Sequence, residues 1–214
     1  MEKNKVVKEM ITVFWIFIIG SVLGYLFEMI IVLCQKGHFE SRQGLIYGPF
    51  TPVYGIGAII YYIVLNNINI KSKGKVFLIT MILGGITEYI CSFIQEDMFG
   101  TISWNYSYLP LNLNGRTSLL HCTYWGIAGV LYITYIQPLL EKLKKKVNLR
   151  SLQFVTILLS IFILFDISIS CVAAGRQLER RKNIEPESKV DVFLDKYYPD
   201  EKLNKIFSNK QDVY

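Results

Sequence analysis

Four stretches of this chain, Met10 to Leu33, Val76 to Ile94, Leu119 to Pro138 and Leu152 to Val172, carry almost no charge. Each is long enough to cross about 30 Å of hydrocarbon as an α-helix. A fifth, Leu45 to Leu65, is uncharged too, although Pro49 and Pro52 interrupt its first turns. A soluble helical core of this size needs amphipathic helices with polar faces, and none precedes residue 173. Charged residues make up 19% of the chain, against about a quarter in soluble domains. The fold expected is therefore all-α: a polytopic membrane helical bundle of about five transmembrane helices. It occupies residues 1–172, with spans near 10–33, 45–65, 76–94, 119–138 and 152–172, and a charged extramembrane tail follows at 173–214.

The formal charge of +6 would raise the question of nucleic acid in a soluble protein. In a membrane protein the placement of basic residues matters more than their sum. Lys3, Lys5 and Lys8 precede the first span. Lys71, Lys73 and Lys75 separate the second from the third, and Lys142, Lys144, Lys145, Lys146 and Arg150 the fourth from the fifth. The opposite loops hold only Lys36, Arg42 and Arg116. The reading is a multi-pass protein of the cell membrane with a cytoplasmic N-terminus and, after five spans, an extracytoplasmic C-terminus. No nucleic-acid partner is expected.

The first span is too long for the apolar region of a signal peptide, contains Glu28 and lacks a small-residue cleavage site, so it reads as a retained anchor. Cys34, Cys91, Cys122 and Cys171 are few and show no CxxC spacing. All fall toward the outer helix ends, which leaves one or two disulfides open beside the plainer reading as small packing residues. No metal site and no cofactor are expected.

Gly20, Gly24 and Glu28 lie at steps of four on the first helix and share one face. Small residues at that spacing let two helix backbones approach closely in lipid. The third helix repeats the device with Gly84 and Glu88. The segment Gly44 to Ala58 packs Gly44, Gly48, Gly55, Gly57, Pro49 and Pro52 into fifteen residues. It reads as a broken or re-entrant start to a regular helix, a backbone that must be shielded by protein or water at membrane depth. Each half of the chain then runs in the same order: a GxxxE helix, an outer loop, an arginine (Arg42 or Arg116), an apolar run and an aromatic–glycine pair, Tyr54-Gly55 or Trp125-Gly126. Two parallel hairpin repeats plus a fifth helix would account for that order. In the tail, residues 190–207 suggest a short amphipathic helix broken at Pro199, lying on the membrane or capping the bundle; a plain extramembrane tail fits as well.

Glu28, Glu88 and Asp166 all fall in the outer halves of their helices. A charge left unpaired there costs roughly 3 kcal/mol, so each must be protonated, hydrated or paired. Arg42, Arg116 and Arg176 stand at the same boundary. The expectation is an outward-open polar cavity walled by these six residues with Tyr54, Tyr106, Asn114, His121 and Trp125. Arginines suit an anionic group; the acids could hold a cation, relay a proton or work as general acid and base. The alternative is a set of ion pairs that only holds the bundle together.

The segments Arg42 to Phe50, Pro52 to Gly55, Glu88-Tyr89, Phe99-Gly100, Trp104 to Ser107, Asn112 to Arg116 and Trp125-Gly126 resemble, in order, the ABC-transporter type IV or CmpB-like permease family. The likeness covers roughly residues 10–135. Where that family's aromatic motif carries an aspartate, this chain has Asn105 and so no carboxylate. The resemblance implies a permease that oligomerises or joins other membrane subunits and depends on a separate ATPase. No ATPase motif occurs in this chain, and the short basic loops at 66–75 and 138–150 contain no evident coupling helix.

Together these readings give an integral membrane protein, a permease or transport component with an outward-facing polar cavity for an anionic or ionic small ligand. Two alternatives stay open: a non-catalytic ligand-binding or assembly component of a membrane complex, and an intramembrane enzyme acting on lipid-like substrates at the outer leaflet. The absence of HExxH, GxSxG and CxxC signatures weighs against the enzyme. Membrane lipid, a second copy or another subunit, and an anionic small molecule are the partners expected. A composition rich in Ile, Lys and Asn and poor in Ala suggests a bacterial source.

Overall fold

A backbone in hydrocarbon has no water to bond, so each apolar run closes its own hydrogen bonds as helix. The computed structural model describes residues 2–68, 70, 72–146 and 149–213. Helix α1 covers Glu2–Lys36, α2 Pro52–Asn67, α3 Lys73–Phe99, α4 Leu119–Leu131, α5 Gln137–Lys146 and α6 Leu149–Arg181. A π-helical turn at Tyr132–Ile136 joins α4 to α5. It sits just before Pro138, which has no amide hydrogen and would crowd the carbonyl one turn back in a regular helix. Two short helices, α7 (Lys189–Tyr197) and α8 (Asp200–Ile206), follow. Two ribbons complete the chain: β1 (Thr101–Ile102) pairs with β4 (Gln211–Asp212), and β2 (Asn112–Leu113) with β3 (Thr117–Ser118). The fold is all-α, with no closed sheet among the described residues.

Four segments are long and apolar enough to cross a membrane: Lys5–Lys36, Lys73–Phe99, Leu119–Lys142 and Leu152–Arg181. Ile82, Ile86 and Ile90 on α3, and Ile157, Ile161 and Leu164 on α6, are exposed as lipid-facing residues should be. The expected span at 45–65 comes out differently. It is helical only from Pro52 to Asn67, about 24 Å of helix and less than the hydrocarbon is thick. Pro52 is tolerated in the first turn, where its missing amide would be unbonded anyway, and residues 44–51 before it are irregular. Four long helices are accompanied by one short helix with an irregular start. The segment at 45–65 keeps the broken entry expected of it but is not itself long enough to count among the spans. Of the basic clusters, Lys71 lies outside the described residues.

Helix α2 runs back along α1. Tyr54 lies against Gly24, Ala58 against Gly20, and the Tyr62 hydroxyl donates to Glu9 at 2.6 Å. Helix α4 runs back along α3 in the same way, with Trp125 against Gly84 and Gly129 against Thr80. Helix α6 runs parallel to α1: Trp15 donates to Thr156 at 2.9 Å, and Ile163 packs with Ile18, Leu45 and Phe50. One end of the bundle thus collects the loops, and the opposite end collects Lys5, Lys8, Lys73 and Lys75.

The irregular stretch 44–51 is wedged between α1 and α6, where its amides need acceptors. Ser21 O accepts from Thr51 N at 3.1 Å, Ser170 Oγ from Ile46 N at 2.9 Å and Asp166 Oδ1 from Tyr47 N at 3.0 Å. Ser21 and Asp166 are fully buried. Helix α6 continues past the expected span end at 172 to Arg181, and the chain then folds back over the loop end. Leu194, Tyr198, Leu203 and Phe207 bury against Ile46 and Ala173. Ser188 and Asp191 form a capping box at the start of α7, and Pro199 caps α8 at the break expected there. The tail is a folded cap.

Asp166→Ala takes away the acceptor of the part-buried Tyr47 amide and the partner of Ser170, which should cost about 1–3 kcal/mol of stability; unfolding of the detergent-solubilised protein measures it, and an unchanged midpoint would remove Asp166 from this role. Gly84→Val drives a branched side chain into the Trp125 ring. It should destabilise by about 1–3 kcal/mol, while Gly175→Ala, at a glycine of α6 with nothing within 4 Å, should cost less by the same measurement.

Candidate functional site

The site begins with close approach. At Gly24 and Gly84 a Cβ would overlap the rings of Tyr54 and Trp125, and at Gly55 and Gly126 it would come within 2.7 Å and 3.0 Å of the carbonyl oxygens of Phe17 and Phe77. Only hydrogen at these positions lets each returning helix press its aromatic side chain across the hairpin. Tyr54 and Trp125 consequently stack on each other, centroids 5.6 Å apart. One helical turn away on each GxxxE helix sits a carboxylate. The Tyr54 hydroxyl donates to Glu28 Oε1 at 2.9 Å. Glu88 Oε1 accepts from the Tyr106 hydroxyl at 3.1 Å and its Oε2 from Thr117 at 2.7 Å, with Trp125 alongside.

The loop between α3 and α4 delivers Tyr106 and Thr117. Asn114 and Gly115 both have positive φ, 53° and 69°, in a tight turn closed by Arg116 N donating to Leu113 O at 2.9 Å, and this three-residue connection sets Thr117 on β3 opposite Leu113. Gly115 O accepts from Tyr106 N at 2.8 Å, which holds the two strands of the loop together. Ser118 caps α4 and meets His121 Nδ1 at 2.9 Å, and the His121 ring lies on the Tyr106 ring, centroids 3.6 Å apart. Burial and the Glu88 charge both push the Tyr106 phenol well above its ordinary range, so it remains a donor.

Glu28, Tyr54, Glu88, Tyr106, His121 and Trp125, all singled out from the sequence, thus form one connected cluster. Glu28 and Glu88 are joined through the stacked pair of Tyr54, which bonds Glu28, and Trp125, which lies beside Glu88. Neither makes an ion pair among the described residues; their partners are hydroxyls and, for Glu88, Trp125 as well. Arg42 acts on Glu28 only through its field. The other expected wall residues lie elsewhere. Asp166 holds the irregular backbone before α2. Arg176 forms a two-pronged bond with Asp195, both arms 2.9 Å, and fixes the cap. Arg116 pairs with Glu96 at 2.6 Å over the rings of Tyr89 and Phe93, and Asn114 donates to the Tyr89 hydroxyl at 3.0 Å. Of the three acids and three arginines expected around one cavity, the connected cluster holds Glu28 and Glu88. Asp166, Arg116 and Arg176 face partners supplied by chain segments far away in sequence.

A cleft of about 350 Å³ opens above the cluster. Its walls come from the end of α1, the loop after β1 and the cap, and include Lys36, Glu40, Arg42, Asn105, Tyr106 and Asn209. Tyr106 belongs to both places: it lines the cleft, and its hydroxyl reaches Glu88. Glu40 binds Lys36 and stands 3.6 Å from Arg42, and the Lys36 ammonium holds its carboxyl below the usual range. Thr117, Glu40 and Asn209 were not among the residues picked out from the sequence. Asn209 arrives through the β1–β4 pairing, and no local pattern marks it. The four cysteines are free thiols.

No curated protein and no solved structure matches the chain. A match to one family covers residues 15–171, both GxxxE hairpins and most of α6. That family's description is of a transport component, which agrees with a bundle of long apolar helices and no catalytic signature. The chain is a member of the family described as "Putative ABC-transporter type IV".

Proposed function

We propose that this protein is a permease-type transport component whose working groups are Glu28 and Glu88, set at the inner end of an outward-facing polar route. The observation that carries this reading is the pairing itself. Two carboxylates linked through the stacked rings of Tyr54 and Trp125, in a bundle of membrane-spanning helices, have hydroxyl partners and no ion-pair partner among the described residues. Such groups take up a proton or a cation to avoid the cost of bare charge in hydrocarbon. Tyr54, Tyr106 and Thr117 hold them in place, and the cleft above gives them access to water. The two hairpins support a parallel internal repeat as the frame of this route. Phe17, Gly24, Glu28, Tyr54 and Gly55 make the contacts that Phe77, Gly84, Glu88, Trp125 and Gly126 make in the second hairpin. Tyr61 and Tyr132, each seven residues beyond its aromatic, meet at 6.3 Å.

The loop end, on this reading, faces outward and the lysine end the cytoplasm, in keeping with the bias of basic residues. A second copy or further membrane subunits complete the pathway, and a separate ATPase supplies energy if ATP drives it. A membrane-impermeant maleimide added to intact cells should label Phe39→Cys in a cysteine-free background and leave Ser72→Cys unlabelled; the reverse pattern inverts the orientation.

In proteoliposomes carrying a pH-sensitive dye, a valinomycin-clamped potassium gradient should drive proton uptake. Glu28→Gln and Glu88→Gln should each lower that uptake about tenfold or more, as expected for loss of a group that carries the ion. Uptake by both variants equal to that of the unmodified protein would overturn the assignment.

A further inference from the structure

Helix α7 joins the cap with only part of its apolar side. Leu194 is 1% exposed in the cluster with Ile46 and Ala173, yet Val190, Phe193 and Tyr197 are 55%, 47% and 49% exposed. Spacings of three, four and seven put these three on one stripe of the helix. At about 100° of turn per residue, that stripe has the buried Leu194 on one side and Lys189 and Lys196 on the other. Asp191 and Asp195 fill the remaining side, where Arg176 and Arg180 hold Asp195. Around the helix the order is therefore bundle, open apolar stripe, lysines, acids.

The neighbours of the stripe indicate what covers it. Phe165, in the α6 span, is 54% exposed toward lipid. Tyr47 stacks on Phe165 with centroids 6.2 Å apart, and its hydroxyl meets the Tyr198 hydroxyl at 2.7 Å. The Tyr198 ring lies 6.2 Å from Phe193, and Phe193 lies 4.7 Å from Tyr197. A run of aromatic side chains thus leads from the lipid-facing wall of α6 to the open stripe of α7. Lysines stand along it: Lys196 is 5.3 Å from the Tyr197 ring centre and Lys202 4.7 Å from that of Tyr198. Aromatic rings edged by lysines suit the membrane–water boundary, where the ring enters the acyl region and the ammonium reaches lipid phosphates. We infer that α7 is an interfacial anchor whose Val190–Phe193–Tyr197 stripe rests in the phospholipid leaflet at the loop end, with Lys189 and Lys196 turned to the headgroups. This goes beyond the transport reading and depends neither on Glu28 and Glu88 nor on which side the loop end faces. Ser208, Asn209 and Gln211 of the same cap line the cleft, so the leaflet helps to hold the cleft wall in place.

Spin labels on the full chain, cysteine-free apart from one site, test the inference in nanodiscs of phosphatidylcholine and phosphatidylglycerol. Power saturation compares collisions with oxygen, which concentrates in lipid, and with a nickel chelate, which stays in water. Labels at Phe193→Cys and Tyr197→Cys should favour oxygen several-fold, as a label at the lipid-facing Ile161→Cys does. Labels at Val192→Cys, turned away from the stripe, and at Glu187→Cys, ahead of α7, should favour the nickel chelate several-fold. All five side chains are exposed, so the substitutions leave the packing in place. Changing Lys189→Glu and Lys196→Glu together should lower the oxygen preference at Phe193→Cys at least twofold; an unchanged ratio overturns the headgroup contact. A nickel preference at both 193 and 197 overturns the inference and leaves the stripe to water. Shielding of both labels from both reagents overturns it as well and gives the stripe to a second copy. Oxygen preference at Val192→Cys equal to that at Phe193→Cys also overturns it, because α7 would then not lie with this one stripe in the leaflet.

Discussion

Non-helical backbone can survive at membrane depth only if the surrounding protein takes over the hydrogen bonds that water would make. Residues 44–51 meet that condition through three acceptors on two neighbouring helices: the Ser21 carbonyl, Ser170 and Asp166. The arrangement fixes α6 beside α1 and sets the height at which α2 begins. It therefore also sets the level of Tyr54, and through Tyr54 the partner of Glu28. A buried aspartate that has the look of a functional acid is in this fold the support for a broken helix.

Glycine supplies the second condition. In lipid, apolar side chains gain little by leaving their surroundings, so helices associate through close packing and polar contacts. Gly24 and Gly84 admit an aromatic ring where any side chain would block it, and the rings of Tyr54 and Trp125 then face each other at the centre of the bundle. The two carboxylates follow at one turn's distance. Their placement is a consequence of the GxxxE spacing combined with the antiparallel return of α2 and α4.

The loop end is built on a different economy, that of charge pairs in water-accessible surroundings. Arg176, Arg180 and Arg181 hold Asp195, Asp200 and Asp212, and the Leu194–Phe207 cluster buries the apolar side of α7 and α8. Multiple pairs on a folded scaffold give direction more than raw stability. Their effect here is to carry Ser208 to Gln211 across the mouth of the cleft, so that the far end of the chain helps to shape an opening formed mainly by residues 36–42 and 103–108.

Local patterns along the chain carry the all-α membrane class, the four long apolar helices, the broken start before α2 and the GxxxE packing faces, and they mark six residues that the fold brings into contact. Each of these follows from local rules: segment length against hydrocarbon thickness, the missing amide of proline, the four-residue period of a helix face, and the cost of charge in lipid. Pairing was decided by tertiary structure alone. Nothing near Asp166 in the chain foretells an amide of Tyr47, nothing near Arg176 foretells Asp195, and Arg116 had Glu88 and Glu96 within similar reach along the sequence. Which acid an arginine meets depends on the crossing of helices and the path of the tail, and those are set by contacts between residues far apart in the chain.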